Sequence, residues 1–147
     1  MNLPMASDDF RVRQTGGGTD ELGEVFRRLE RRDAAIAAAP RVAAEGHAPL
    51  IIAAIAAEHG LTAADLTGKR RLREIVRVRN TACAVLFARG NGYSKVAAWM
   101  GGRDRTTIMH AIRQFHWHQA RQAPLRATFH RYAGMDTPVP LPGGRKQ

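Results

Sequence analysis

The residues best suited to contact a polyanion lie in one eleven-residue stretch, residues 101–111. The stretch reads Gly-Gly-Arg-Asp-Arg-Thr-Thr-Ile-Met-His-Ala, so a Gly-Gly break precedes a helix N-cap, Asp104, and a new helix. On the outward face of that helix, Thr106, His110 and Arg113 present hydroxyl, imidazole and guanidinium groups that can reach phosphates and base edges. Threonine methyl groups can also contact thymine. The stretch therefore predicts a surface that reads duplex DNA.

Two helices and a tight turn would hold these side chains in place. A short helix is predicted over residues 94–99, before the Gly-Gly break, and Asp104 is predicted to satisfy free backbone N–H groups at the start of the second helix. The second helix carries an apolar stripe at helical spacing on its other face. This layout is typical of a helix-turn-helix DNA reader. The stripe consists of Ile108, Ala111, Ile112 and Phe115.

The positive charge is concentrated in the part of the chain that carries this motif. The 147 residues have a formal net charge of +10. Residues 1–45 hold 7 arginines and 8 acidic residues, whereas residues 46–133 hold 14 lysines and arginines against 4 acidic residues. Since a composition biased uniformly toward arginine would charge both parts alike, the asymmetry favours nucleic acid as the partner.

The length predicts one domain with tails. We expect the folded domain over residues 47–133, as an all-α bundle of five or six helices, and a flexible tail over residues 134–147. The longest helix is predicted over residues 71–89, with an inner stripe of Leu72, Ile75, Val76, Cys83 and Leu86. The other expected helices span residues 50–58, a short segment capped by Thr62 with Asp65 in the capping-box position, and residues 125–133 before Gly134.

The N-terminal part is predicted to contain a disordered tail, residues 1–19, and an amphipathic helix with a linker, residues 20–46. The helix is expected over residues 20–39, with Pro40 at its end. An amphipathic helix outside a domain must bury its apolar side chains somewhere. The sequence leaves two partners open, the helix's own domain and a second protein.

Residues 101–111 resemble a known signature. The C-terminal DNA-binding domain of the bacterial replication initiator DnaA usually reads Gly-Gly-Arg-Asp-His-Thr-Thr-Val-x-His-Ala at this place. Upstream, residues 61–71 are similar to the short helix and basic loop of that family, and residues 77–80 are similar to its basic helix, which usually ends in Arg-Gln. The resemblance covers residues 47–132 and implies a small helical bundle of the initiator and Trp-repressor type.

The resemblance implies two sets of DNA contacts. The arginine that matches Arg71 enters a minor groove beside the major-groove helix, and arginine suits a narrow, A·T-rich minor groove. Arg79 matches a DNA contact, although simple helical counting places it inside an apolar stripe. The implied base or groove contacts are Arg71, Arg79, Asp104, Arg105, Thr106 and His110. The implied phosphate contacts are Lys69, Arg70, Arg73, Arg77, Asn80, Lys95, Arg103, Thr107 and Arg113.

The chain departs from the family pattern at two of these positions. Arg105 replaces the usual histidine, and Asn80 replaces the usual glutamine with a shorter amide. Arginine prefers guanine O6 and N7, or phosphate, to a thymine methyl group. The resemblance implies a short asymmetric DNA box with an A·T-rich start and a CACA-like end, and Arg105 is expected to alter that box at one position.

The sequence therefore predicts a protein that binds double-stranded DNA at initiator-box-like sites and regulates replication initiation or transcription. The alternative is an adaptor that binds the replication machinery through residues 20–39, with weak or vestigial DNA binding. In either case we expect a cytoplasmic protein, and the first function implies association with the nucleoid.

Several other function classes lack their characteristic residues. One cysteine, Cys83, excludes an internal disulfide and fits a reducing cytoplasm. His116 and His118 lack the spacing of metal ligands, and the chain has neither a phosphate-binding Gly-x-x-x-x-Gly-Lys loop nor a nucleophile paired with a base. No apolar run reaches membrane-spanning length, and the start lacks a signal-peptide pattern. We expect no enzyme activity, cofactor, metal, nucleotide or membrane partner, and a stand-alone protein without the ATPase module of full-length initiators.

Overall fold

The computed structural model describes residues 18–134 of the chain, and this part is an all-α fold. The predicted all-α class is confirmed. Residues 48–134 supply six of the helices, so the expected number for the bundle is confirmed as well. The α-helices are α1 (Gly18–Glu45), α2 (Ala48–Glu58), α3 (Ala63–Thr67), α4 (Arg73–Ala88), α5 (Tyr93–Trp99), α6 (Arg105–Trp117) and α7 (Ala123–Ala133), and a 3-10 turn spans Gln119–Arg121.

Helix α4 is the central element of the bundle. Every residue from Val78 to Leu86 is buried, because α4 packs against α2, α6 and α7 on different sides. Two of its predicted core residues, Cys83 and Leu86, are fully enclosed. The prediction that Leu72 belongs to the inner stripe is wrong, because Leu72 precedes α4 as the N-cap and is 54% exposed. The central position of α4 makes it the support on which the other helices are placed.

The predicted apolar stripe of the second motif helix is confirmed. In α6, Ile108, Ile112 and Phe115 are completely buried, and the ring of Phe115 stacks on Phe129 of α7 with the ring centroids 5.1 Å apart. Burial of each large apolar side chain stabilises the fold by roughly 1.5–3 kcal/mol. This packing turns the opposite face of α6 outward.

A buried polar network joins α2 to α7. The carboxylate of Glu58 accepts hydrogen bonds from Tyr132 Oη at 2.6 Å, from Arg131 Nη2 at 2.7 Å and from Thr128 Oγ1 at 2.9 Å. Three side chains of one helix thus meet one carboxylate of another. Burial and the hydrogen bond to Glu58 raise the pKa of Tyr132. Since a buried carboxylate is stable only when it is well paired, the network fixes the position of α7 on α2.

Two local predictions about helix ends are confirmed. Thr62 caps α3 and forms a capping box with Asp65, whose carboxylate accepts from the Thr62 backbone N–H at 2.9 Å. This backbone hydrogen bond is the main reason why the pKa of Asp65 is lowered. Gly134 ends α7 in the left-handed conformation, with φ +74°. Both ends depend on nearest neighbours in the sequence, which is why the pattern predicts them.

Helix α1 differs from the prediction, because it continues through Pro40 to Glu45 and leaves no linker before Gly46. Ala39 is buried and Val42 and Ala43 pack against the core, so contacts with α2 and α7 hold the helix on both sides of the proline. Proline removes one helical hydrogen bond, and this packing offsets the loss. The second half of α1 thus folds back onto the domain.

The first half of α1 is a different surface. All residues from 25 to 34 are exposed, including Val25, Phe26 and Leu29. We call residues 21–34 the exposed arm. Glu24 forms ion pairs with arginines of the same arm, the shortest at 3.1 Å to Arg27. The arm therefore presents apolar side chains that the described part of the chain does not cover.

The predicted tails lie mostly outside the described residues. This applies to residues 1–17 of the expected disordered segment and to residues 135–147 of the expected flexible tail. Gly18 and Thr19, which the prediction placed in the disordered segment, begin α1. Among the helices within residues 18–134, none has the length and hydropathy that crossing a membrane requires.

Candidate nucleic-acid interface

A cleft of about 1220 Å³ brings part of each half of the predicted DNA-binding surface together, whereas Asp104, Arg105, Thr106 and Arg113 lie outside its lining. One wall is α4 with the basic loop, defined here as residues 69–71, and the other wall is α6. Cations from the first wall thus face a threonine and a histidine of the second. The predicted contact residues that line the cleft are Lys69, Arg71, Arg73, Arg77, Arg79, Asn80, Arg103, Thr107 and His110.

The outward face of α6 begins directly after the turn. Arg105, Thr106 and His110 are all exposed, as the predicted face requires. Asp104 occupies the predicted N-cap position, but within the described residues its carboxylate accepts no capping hydrogen bond. The expected capping role of this side chain is therefore wrong, and its carboxylate remains exposed at the start of the helix.

The basic loop also presents its cations to solvent. Lys69, Arg70 and Arg71 are exposed, and an Arg70 guanidinium nitrogen lies 3.6 Å from a carboxylate oxygen of Asp65. The exposure of Arg70 is 63%, so this ion pair contributes little to stability. The loop is thus a strongly positive segment at the edge of the cleft.

Arg79 is a correction to the predicted contact set. Its side chain is buried, with 8% of its surface exposed, and points into the turn before α4. Nε donates to the Leu66 carbonyl at 2.7 Å, and Nη2 donates to the carbonyls of Asp65 at 2.9 Å, Gly68 at 3.2 Å and Arg70 at 2.9 Å. Burial and the nearby Arg103 guanidinium lower the pKa of Arg79. These contacts contradict a role in a DNA groove.

Asn80 and Arg103 are corrections of the same kind. Asn80 is 6% exposed and donates from Nδ2 to Gln119 Oε1 at 3.2 Å, so its amide is used inside the bundle. Arg103 donates from Nη1 to the carbonyls of Thr67, at 3.3 Å, and Met100, and from Nη2 to the carbonyl of Gly68. Because its guanidinium is directed at protein carbonyls, Arg103 is not available as the predicted phosphate contact.

The remaining predicted phosphate contacts are accessible to different degrees. Arg73 is exposed near the start of α4, whereas Arg77 and Arg113 are half-buried. Lys95 is exposed on α5, with its ammonium nitrogen 6.0 Å from the centroid of the Trp99 ring. This arrangement places cations on three helices around the turn.

The cleft includes four polar residues that the sequence analysis did not assign to the DNA-binding surface. They are Gln114, His118, Gln119 and Gln122. The signal for Gln114 was present, because it follows His110 at a spacing of four and therefore lies on the same face of α6. His118 is the C-cap that follows this helix. Gln122 lies beyond α6, and its place in the cleft follows from the 3-10 turn that reverses the chain.

The sequence predicts no metal site at Cys83, His116 and His118. Burial raises the pKa of the Cys83 thiol to about 12, and burial also lowers the pKa of His116. Among residues 18–134, the structure contains no group of three or more His, Cys, Asp or Glu side chains arranged to hold a metal ion.

Most of the region that forms the cleft is similar to a known protein family. Residues 49–114 match the family described as the bacterial dnaA protein helix-turn-helix. The chain is 32% identical over 111 residues to the chromosomal replication initiator protein DnaA of Neisseria meningitidis, covering 69% of this chain and 21% of that protein. It is 39% identical over 66 residues to the protein of the same name from Lacticaseibacillus casei, covering 43% of this chain and 14% of that protein. No solved structure matches the chain significantly.

The matched region contains α5, the Gly-Gly turn and α6, and these three elements form a helix-turn-helix, the motif that the matching family is named for. More particularly, the chain is a DnaA C-terminal domain-like protein, as the resemblance of residues 101–111 implied. It spans about a fifth of the length of the initiators from Neisseria that it matches.

Proposed function

We propose that the protein binds double-stranded DNA sequence-specifically at initiator-box-like sites and thereby regulates replication initiation or transcription. The observation that carries the proposal is the cleft in which the basic loop and the recognition helix α6 face the same space. When α6 lies in the major groove of a DNA duplex, the adjacent minor groove lies beside Arg71. The net charge of residues 46–133 adds the electrostatic attraction that such a complex needs.

The proposed division of labour follows the chemistry of the exposed side chains. Arg105, Thr106 and His110 contact bases in the major groove, while Arg71 enters the minor groove. Lys69, Arg73 and the other exposed cations bind phosphates, which gives affinity and register but little sequence information. A protein acting in this way works at chromosomal sites, so we also propose that it is cytoplasmic and associated with the nucleoid.

Alanine substitutions on α6 are expected to separate base reading from phosphate binding. Thr106→Ala and His110→Ala should each reduce discrimination between a box-containing duplex and a scrambled duplex by roughly 1–3 kcal/mol, because each removes a base contact. Lys69→Ala should weaken both complexes about equally, because phosphates are common to all sequences. Fluorescence titrations with both duplexes measure the two effects. An equal loss with both duplexes for all three variants would mean that α6 touches only the DNA backbone.

Arg105 is expected to shift the preferred site. A bidentate arginine favours guanine over a wrong base by roughly 1–3 kcal/mol, whereas histidine at the same position favours contact with a thymine methyl group. Selection from a random duplex pool should return a box that differs from the family's box at one position, and Arg105→His should restore the family's base. Recovery of the same box by both proteins would assign Arg105 to phosphate binding.

A second function is supported by the exposed arm of α1. Its apolar side chains include Phe26, which is 58% exposed, and Leu22, which is 57% exposed. An adaptor that binds the replication machinery through residues 20–39 would use this surface, with weak or vestigial DNA binding. The titration above separates the two functions, because an adaptor of this kind binds box-containing and scrambled duplexes with similar affinity.

A further inference from the structure

We propose that Arg79 and Arg103 are positioning residues that hold the basic loop at a fixed distance from the recognition helix. We call these two residues the arginine clamp. The inference rests on the proposed function, since it concerns how the minor-groove reader Arg71 and the major-groove readers of α6 are kept in register. It also assigns a use to two cations that the DNA-binding surface does not need.

The first arm of the clamp comes from α4. Arg79 lies in the second turn of that helix, and its guanidinium reaches back to four carbonyls of the segment from Asp65 to Arg70. A guanidinium has five N–H donors and no acceptor, so carbonyls that converge on it are matched by its geometry. The contacts curl residues 65–70 around the Arg79 side chain. The basic loop therefore leaves this turn in a direction that α4 determines.

The second arm comes from the helix-turn-helix itself. Arg103 stands one residue before the N-cap of α6, and its guanidinium donates to Thr67 and Gly68 on the turn before the basic loop and to Met100 at the end of α5. One side chain thus joins the turn before α6 to the segment that precedes Arg71. Both arms meet at Gly68, whose carbonyl accepts from Arg79 and from Arg103.

The backbone is packed at the same place. Gly101 has φ +91°, and a Cβ added there would lie against the carbonyl oxygen of Thr67. Gly102 N and Arg103 N both donate to the carbonyl of Ala97 at 3.0 Å, which ties the turn to α5. The Gly-Gly pair therefore permits a close approach between the turn and residues 67–68, and the clamp holds that approach. Such hydrogen bonds between partly buried groups make the two DNA-reading segments one unit.

A fixed unit has a consequence for the DNA that it reads. The protein therefore sets the distance between the minor-groove contact of Arg71 and the major-groove contacts of Thr106 and His110. A duplex in which the two contacted parts are one base pair further apart no longer matches both. The clamp is therefore a determinant of spacing, although neither of its residues touches DNA.

Limited proteolysis tests the clamp without DNA. The basic loop contains three successive trypsin sites, Lys69, Arg70 and Arg71. Arg103→Gln is expected to speed cleavage at these sites about tenfold or more, because cleavage requires local opening of the segment that Arg103 holds. Arg121→Gln, which removes an exposed arginine elsewhere, should leave the rate unchanged. Cleavage after Arg131 in α7 reports global unfolding and should not accelerate in either variant.

The second test uses DNA from a random-pool selection with the unchanged protein. One base pair is inserted between the A·T-rich part and the remainder of the selected site. We expect the insertion to weaken binding of the unchanged protein and of Arg121→Gln about tenfold or more, and to weaken Arg103→Gln less than about threefold. Arg103→Lys, which keeps the charge but not the forked donor geometry, should resemble Arg103→Gln.

Each outcome has a separate meaning. Unchanged cleavage of the basic loop in Arg103→Gln overturns the clamp, and so does an insertion penalty that is the same in the variant as in the unchanged protein. If the random pool yields no preferred site, the proposed function fails, while the proteolysis result still decides whether Arg103 holds the loop. An increase in cleavage after Arg131 that matches the increase at the loop would assign Arg103 to general stability and overturn the positioning role.

Discussion

Glu58→Ala is expected to lower the free energy of unfolding by about 3 kcal/mol, because removal of one partner leaves the rest of a buried ion pair and hydrogen-bond network unpaired. The carboxylate of Glu58 is 1% exposed and accepts from Thr128, Arg131 and Tyr132 of α7. Without it, the hydroxyl of Tyr132 stays in an enclosed site without that acceptor. Thermal and urea unfolding should show a midpoint lower by roughly 10 °C and an unchanged dependence on urea concentration.

Two variants control this result. Glu30→Ala removes a carboxylate from the exposed arm and should change the free energy of unfolding by less than about 0.5 kcal/mol. Glu58→Gln keeps the size and one acceptor oxygen but loses the charge, so its effect should lie between the two. A loss below about 1 kcal/mol in Glu58→Ala would mean that apolar packing alone fixes α7 on α2.

Affinity for duplex DNA is expected to fall by roughly 250- to 1000-fold between 50 and 200 mM salt. This corresponds to about five phosphate contacts and a slope of about −4 to −5 in a plot of log K against log salt concentration. The expected number of phosphate contacts is smaller than the number of lysines and arginines in the domain suggests. Arg79 and Arg103 bind protein carbonyls, so they release no counterions when DNA binds.

Single substitutions identify which cations contribute to that slope. Arg73→Gln, on the exposed start of α4, should make the slope shallower by about 0.9, because one phosphate contact is lost. Arg27→Gln, on the exposed arm of α1, should leave the slope unchanged. Affinity that is nearly constant from low to physiological salt would contradict an electrostatic complex and with it the proposed use of the cleft.

Sequence patterns predicted the elements that depend on neighbours along one helix. The stripe of α6 repeats at helical spacing, so Ile108, Ile112 and Phe115 were assigned to the core correctly. The capping box of Thr62 and Asp65 and the stop at Gly134 are equally local. Because the exposed face of α6 is the complement of its apolar stripe, the accessible positions Arg105, Thr106 and His110 followed as well.

Several of the errors concern residues whose partners lie elsewhere in the fold. Arg79 binds carbonyls that precede it by 9 to 14 residues, and no periodicity shows that a turn of backbone will present them to it. The amide of Asn80 meets Gln119, 39 residues later. Pro40 was read as the end of α1 because proline opposes helix locally, yet packing of Ala39 and Val42 keeps the helix intact. Tertiary contacts decided each of these cases.

The position of Cys83 makes its thiol a natural reporter of local opening of the fold. It is the chain's one cysteine, it is fully enclosed within α4, and burial raises its pKa to about 12. The thiolate is the nucleophile that attacks thiol reagents, so labelling must wait until α4 and the wall formed by α6 separate. The labelling rate of the unchanged protein therefore records how often the wall opens, and slower labelling with bound duplex would show that DNA holds it closed.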